Sequence, residues 1–91
     1  MFVVHCKDKP EAAQVRLDNR AAHLDFLKGH AAEVVMAGPV LTDDGQGMVG
    51  SVLVLDFAAR ADLDAFLAAD PYARAGLFES VTVLPWRRVA L

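Results

Sequence analysis

The stretch MVGSVLVLDF (Met48–Phe57) is rich in β-branched and aliphatic residues and lacks a helical repeat, so it reads as a strand. Successive side chains of a strand point to opposite faces. Val49, Ser51, Leu53, Leu55 and Phe57 fall on one side, and Gly50, Val52, Val54 and Asp56 on the other. Both sides are largely apolar. A sheet wetted on one face would alternate apolar with polar residues. Here both faces of the sheet need a cover.

The flanking segments say what supplies the first cover. Upstream, TDDGQG (Thr42–Gly47) carries the Asp44-Gly45 turn signal of a hairpin loop. EVVMAGPVL (Glu33–Leu41) is a second strand, with Val34, Met36 and Val40 expected on one side and Val35, Ala37 and Leu41 on the other. Gly38-Pro39 within it argues for an edge position, a bulge or a bend. Before that, Pro10 to Gly29 has no internal Gly or Pro. Ala13, Leu17, Ala21, Leu24 and Lys28 recur there at three-to-four spacing, with Leu27 beside them, which predicts a helix stopped at Gly29. Val15, Ala22 and Phe26 form a second apolar stripe on its other side. FVVHC (Phe2–Cys6) opens the chain as a strand.

Downstream, AARADLDAFLAAD (Ala58–Asp70) places Leu63, Phe66 and Leu67 at helical spacing. A short PYARAG turn follows, and FESVTVLPW (Phe78–Trp86) is the last strand, with Pro85 marking its end. The order β-α-β-β-α-β predicts an α+β, ferredoxin-like fold: a four-stranded antiparallel sheet with two helices on one face. Two helices cover one face only. The other is most simply covered by a second copy in a C2 sheet-on-sheet homodimer, making a dimeric α+β barrel. The second stripe of the first helix leaves room for a higher homo-oligomer.

Composition agrees with this reading. The 91 residues, read as one domain over 1–91, are 55% apolar, above the usual share of about 45–50%. A chain this short buries only roughly 60–65% of its unfolded surface, so surplus apolar surface points to a partner. The net charge is −3, with no basic patch interleaved with aromatics, which argues against nucleic acid. No apolar run approaches the roughly 20 residues of a membrane span. With no signal-peptide pattern and a single cysteine, a cytoplasmic location is expected.

Two residues carry the candidate chemistry. His23, at the margin of the apolar stripe with Arg16, Arg20 and Leu27, reads either as a boundary histidine or as a general acid–base group at a cleft. Asp70, before Pro71, is a good N-cap for the PYARAG turn. A carboxylate held by backbone donors keeps its second oxygen to orient an imidazole, and the two helices lie side by side on one sheet face. Arg20, Gly38, Pro39, Ser51 and Tyr72 are expected to line the same cleft. Arg20 would bind a substrate carboxylate or pair with Asp18 or Glu33. Ser51 would hydrogen-bond a ligand or simply the backbone, Tyr72 would offer its hydroxyl to the cleft, and Gly38-Pro39 either brings backbone close to a ligand or is only a bulge. No His/Cys/Asp/Glu spacing resembles a metal site. GQGMVG precedes a strand, so it is not a nucleotide fingerprint. Cys6 reads as a small core residue.

Taken in order, Arg20, His23 and Leu24; Ala37-Gly38-Pro39; Asp43-Asp44-Gly45; Gly50-Ser51; the DPY..AGL of Asp70–Leu77; and Pro85-Trp86 resemble the YCII-related proteins over nearly the whole chain. The resemblance implies the dimeric α+β barrel, similar to muconolactone isomerase, and a His–Asp pair carried here by His23 and Asp70. One branch of that family removes chloride from a chlorinated hydroxyhydroquinone. The implied function is proton transfer on a small cyclic substrate by a lyase, isomerase or dehydrochlorinase-like enzyme without metal or cofactor. The competing reading is a small-molecule binding or sensor module using the same cleft without turnover, with haem binding through His23 as a minor version.

Overall fold

The structure, a computed structural model, describes every residue from Met1 to Leu91. The elements are β1 (Phe2–Asp8), α1 (Ala13–Gly29), β2 (Val34–Leu41), β3 (Met48–Leu55), α2 (Arg60–Ala69), α3 (Pro71–Arg74) and β4 (Phe78–Pro85). The four strands form one antiparallel sheet in the order β2-β3-β1-β4. This is the expected ferredoxin-like fold, with α3 as a one-turn addition. Val4, Cys6, Leu53 and Leu55 of the sheet pack with Leu63 and Phe66 of α2, and Phe26 and Leu27 of α1 rest on that cluster. Both long helices therefore cover the same sheet face.

The opposite face is open in the single chain and mixed in character, with His5, Lys7, Ser80 and Thr82 towards one end and apolar residues over the rest. Met36, Val52 and Leu84 are between 40% and 56% exposed there. In β3 Ser51, Leu53 and Leu55 are buried under the helices and Val52 faces out, while Val49, expected on the buried side, is 44% exposed and Val54, on the side of Val52, is buried. Gly50 allows close approach of the central strands. A Cβ at that position would lie 2.5 Å from the Cys6 carbonyl oxygen of β1.

Three details differ from the sequence expectation. β1 runs two residues further, to Asp8, and α1 starts at Ala13, because Pro10 and Glu11 form a turn with Glu11 in left-handed backbone (φ 59°). β2 is the expected edge strand, but its register slips between Val34 and Met36 and again between Val40 and Leu41. Val34 then packs inward while Met36 pairs with Val54 on the outer side, so the two do not share a face.

The third difference is the rotation of α1. Ala13, Leu17, Ala21 and Lys28 are exposed, Leu17 by 60%. The buried and half-buried positions of the helix are Val15, Arg16, Asn19, His23, Leu24, Phe26 and Leu27. Only Arg16 and His23 are fully buried on this helix. Of the stripe expected to face outward, Phe26 packs on the core and Val15 is half-buried, while Ala22 is exposed. The physical reason is local: Asp8 and Asp70 meet Arg16 and His23 and draw them inward, so of the expected apolar stripe only Leu24 and Leu27 remain half-buried.

Candidate active site

The site begins at the junction after α2. Asp70 ends that helix in extended backbone (ψ 129°), Pro71 starts α3, and the Asp70 side chain accepts the Tyr72 backbone N–H at 2.9 Å. It is the N-cap that the sequence reads. The same oxygen, Oδ1, lies 2.8 Å from His23 Nδ1. The expectation that one oxygen would cap and the other meet the imidazole is corrected: Oδ1 takes both bonds. Asp70 and His23 are 3% and 7% exposed. His23 is thus a buried, hydrogen-bonded group and not a marginal one, as the rotation of α1 requires.

α3 carries Tyr72 against α1. Its ring stacks on the His23 imidazole with centroids 3.9 Å apart and planes 15° off parallel. The Arg16 guanidinium lies over the Tyr72 ring at 4.7 Å, within cation–π range. Burial pushes the Tyr72 hydroxyl above its ordinary pKa, and Arg16 and Arg20 oppose that rise.

A second polar pair lies one step further along the sheet. Arg16 Nε and Nη2 donate to Asp8 Oδ2 and Oδ1 at 2.7 and 2.8 Å, and Nη2 also donates to Ser51 Oγ at 3.0 Å. All three residues are buried. Burial opposes the Arg16 charge, but the bidentate bond to Asp8 and its charge outweigh that effect and hold the guanidinium above its ordinary pKa. Neither Asp8 nor Arg16 stands out in the sequence as a site residue. The one available signal is that Arg16 precedes His23 by seven residues, two helical turns, and so shares its face. Cys6, beside Ser51 in the sheet register, has its thiol pushed up to about 12 by burial first, then by Asp70 and Asp8, with Arg16 opposing. It sits in the core, 2% exposed, as the sequence reading expects.

These groups border a cleft of about 220 Å³ between α1, β2 and β3. Arg16, Arg20, His23, Ser51 and Tyr72 give it polar walls, and the backbone of Ala37, Gly38 and Pro39 closes one side. Leu24, Leu27, Met48 and Leu53 supply the apolar remainder. The structure therefore brings Arg20, His23, Gly38, Pro39, Ser51 and Tyr72 to one cavity, with Asp70 behind His23. Arg20 forms no ion pair with Asp18 or Glu33. A wider depression of about 500 Å³ around the β1–α1 loop is lined by exposed charges, among them Lys7, Lys9 and Glu11, and none of the residues expected at the site reaches it. No cluster of three His, Cys, Asp or Glu is placed to hold a metal ion. No helix is long and apolar enough to cross a membrane.

Comparison with known proteins follows the same lines. Residues 1–87 match the model of the YCII-related domain. The chain is 31% identical to the protein YciI of Escherichia coli O6:H1 over 98% of both chains. Among solved structures, it superposes with a TM-score of 0.89 on the 5-chloro-2-hydroxyhydroquinone dehydrochlorinase TftG of Burkholderia phenoliruptrix AC1100, in complex with 2,5-dihydroxybenzoquinone. Identity to that enzyme is 35%, covering 97% of this chain and 94% of the other. An antibiotic biosynthesis monooxygenase shares the fold at a TM-score of 0.55 and 16% identity, over 98% and 97% of the two chains.

Proposed function

This chain belongs to the YCII-related family, and on that premise we propose that its cleft is the active site of a small-molecule enzyme that moves a proton with His23 and Asp70. The observation that carries the proposal is the 2.8 Å bond between His23 Nδ1 and Asp70 Oδ1 behind a cleft that His23 lines. Asp70 receives Nδ1–H and selects that tautomer, so Nε2 is the ring nitrogen with a free lone pair. Asp70 also stabilises the imidazolium that forms when Nε2 takes a proton, the role of the third member of a catalytic triad. The stacked Tyr72 ring keeps the imidazole in plane.

The substrate is a small cyclic compound bearing a carbonyl or enol. The cleft is smaller than the roughly 300–1,000 Å³ of drug-sized sites and suits a single ring. His23 Nε2 removes a proton next to the carbonyl or enol. In an isomerisation the same proton returns at another carbon. In a dehydrochlorination, the reaction of the enzyme similar to this chain, the electron pair left by the proton expels chloride. Neither route needs a metal or cofactor. The active unit is a C2 homodimer that buries the open sheet face, a proposal motivated by the exposure of Met36, Val52 and Leu84.

The test is turnover of chlorinated hydroxyhydroquinones, catechols and lactones by the wild type and by His23→Ala. A positioned acid–base group contributes about 10²–10⁴-fold in rate, so the variant should lose that factor. Wild-type turnover in His23→Ala refutes the acid–base role. Saturable binding with no turnover in the wild type leaves the binding or sensor module standing instead.

A further inference from the structure

We propose that Asp8 and Arg16 are positioning residues that force the Ser51 hydroxyl to donate into the cleft, and that the ligand is bound there as an oxyanion. The inference rests on the cleft being the ligand site, as proposed above, and adds the charge state of what it takes.

The geometry leaves Ser51 one option. Arg16 is clamped in its plane by two bonds to Asp8, at 2.7 and 2.8 Å, and its Nη2 reaches Ser51 Oγ at 3.0 Å. A guanidinium has no acceptor, so Arg16 can only donate and Ser51 Oγ can only accept in that bond. The Ser51 proton must point elsewhere. That contact with Arg16 is the only hydrogen bond of the Ser51 side chain, and the residue is 4% exposed, on the cleft wall. A buried hydroxyl proton with no protein acceptor finds its partner in a ligand that fills the cleft. The charges point the same way. Asp8 neutralises Arg16, and Asp70 is occupied by His23 and by Tyr72 N–H. Arg20 has no carboxylate within ion-pair reach, and no Asp or Glu lines the cleft. The cleft therefore carries an unmatched positive charge beside a fixed donor. A phenolate, an enolate or a carboxylate supplies the missing partner.

The probe is 4-nitrophenol, whose phenolate absorbs in the visible, titrated with the wild-type protein at fixed pH values between about 5 and 9. The titratable groups facing it are Arg16, Arg20, His23 and Tyr72, so every comparison is made between variants at the same pH. The expected result is that bound probe favours phenolate over phenol by about tenfold or more. Ser51→Ala should lose most of that preference, and Ser51→Thr should restore it. Arg16→Lys, which keeps a charge but cannot hold Asp8 and Ser51 together, should lose part of it. Should Arg16→Lys fail to fold, the Ala and Thr variants at Ser51 still decide. Benzoate serves as the carboxylate arm: binding it with the same dependence on Ser51 supports the inference and assigns the oxyanion to a carboxylate. Unchanged phenolate preference in Ser51→Ala overturns the proposal. So does equal wild-type affinity for 4-nitroanisole, which has no ionisable oxygen. The readout needs no turnover. A wild type with no phenolate preference but His23-dependent turnover sinks this inference alone, and a Ser51-dependent preference without any turnover sinks the acid–base reading alone.

Discussion

Asp70 holds two structures with one oxygen, and two substitutions there should separate charge from geometry. In Asp70→Asn a neutral carbonyl oxygen can still accept from the Tyr72 N–H and from His23 Nδ1–H, the bonds seen at 2.9 and 2.8 Å. In Asp70→Ala both acceptors vanish. Losing the cap costs about 0.5–2 kcal/mol, and losing a bond with a charged partner about 1.5–3 kcal/mol. The Ala variant should therefore lose about 2–5 kcal/mol. The Asn variant, which gives up only charge assistance, should lose about 1–2 kcal/mol. At roughly 0.05–0.15 kcal/mol per residue, a chain this long has about 5–14 kcal/mol in total, so the Ala loss is large but survivable. In urea, with an m-value of about 1.5 kcal/mol/M, the midpoint should fall by about 1.5–3 M for Ala and about half as much for Asn. All variants must be compared at one protein concentration, since dimerisation would add to stability. A cycle with His23→Ala should show a coupling of about 0.5–3 kcal/mol. If Asn is as damaging as Ala, or the coupling is zero, the shared-oxygen account is wrong.

Other expectations concern the scaffold. Gly50→Ala would push a Cβ to 2.5 Å from the Cys6 carbonyl oxygen, on a central strand that cannot yield; a loss of about 1–3 kcal/mol is expected, and an unchanged urea midpoint would contradict it. Val52→Asp puts a charge on the open sheet face, where Val52 is 40% exposed; sedimentation should show a dimer for the wild type and a monomer for the variant, and a stable wild-type monomer at micromolar concentration defeats the dimer. The Cys6 thiol is raised from 9.0 to about 12 in the folded chain, so between those pH values the unfolded chain has lost a proton that the folded chain keeps. Stability from this group is untouched below about pH 9 and falls as pH rises towards 12, by up to about 1.4 kcal/mol per pH unit. Cys6→Ala should remove that part of the alkaline slope in denaturation series, and an identical slope in the variant refutes it.

The sequence is legible where apolar pattern and turn chemistry decide structure. MVGSVLVLDF shows a strand with apolar residues on both sides, Asp44-Gly45 shows the hairpin, and Asp70-Pro71 shows the cap. It is illegible where polar groups are buried in pairs. Hydrophobic periodicity on α1 selects Leu17, which the structure leaves 60% exposed, and passes over Arg16 and His23. Those two are buried because Asp8 and Asp70 meet them, and both acids are distant along the chain or on another element. No local pattern encodes such a pairing. The slip in β2 is lost for a related reason, since register is a property of two strands and Val34–Leu41 alone cannot report it.

The two buried pairs also account for why a small core tolerates charge. A buried ion pair is weak as a source of stability, because desolvation offsets much of its attraction. In a chain of 91 residues the simpler solution would be apolar residues at Asp8 and Arg16. Their presence makes sense through what they orient. Arg16, fixed by Asp8, sets Ser51 and lies over Tyr72. Tyr72, held by Asp70 at its backbone, stacks on His23, which Asp70 holds at its ring. Arg16, His23 and Ser51 are thus each restrained by a hydrogen bond, to Asp8, Asp70 and Arg16 in turn, and Arg20, which has no such partner, is left free. Preorganised donors act most strongly when little rearrangement is needed as charge develops. The polar interior of α1 is therefore better explained by the requirements of a site than by those of the fold.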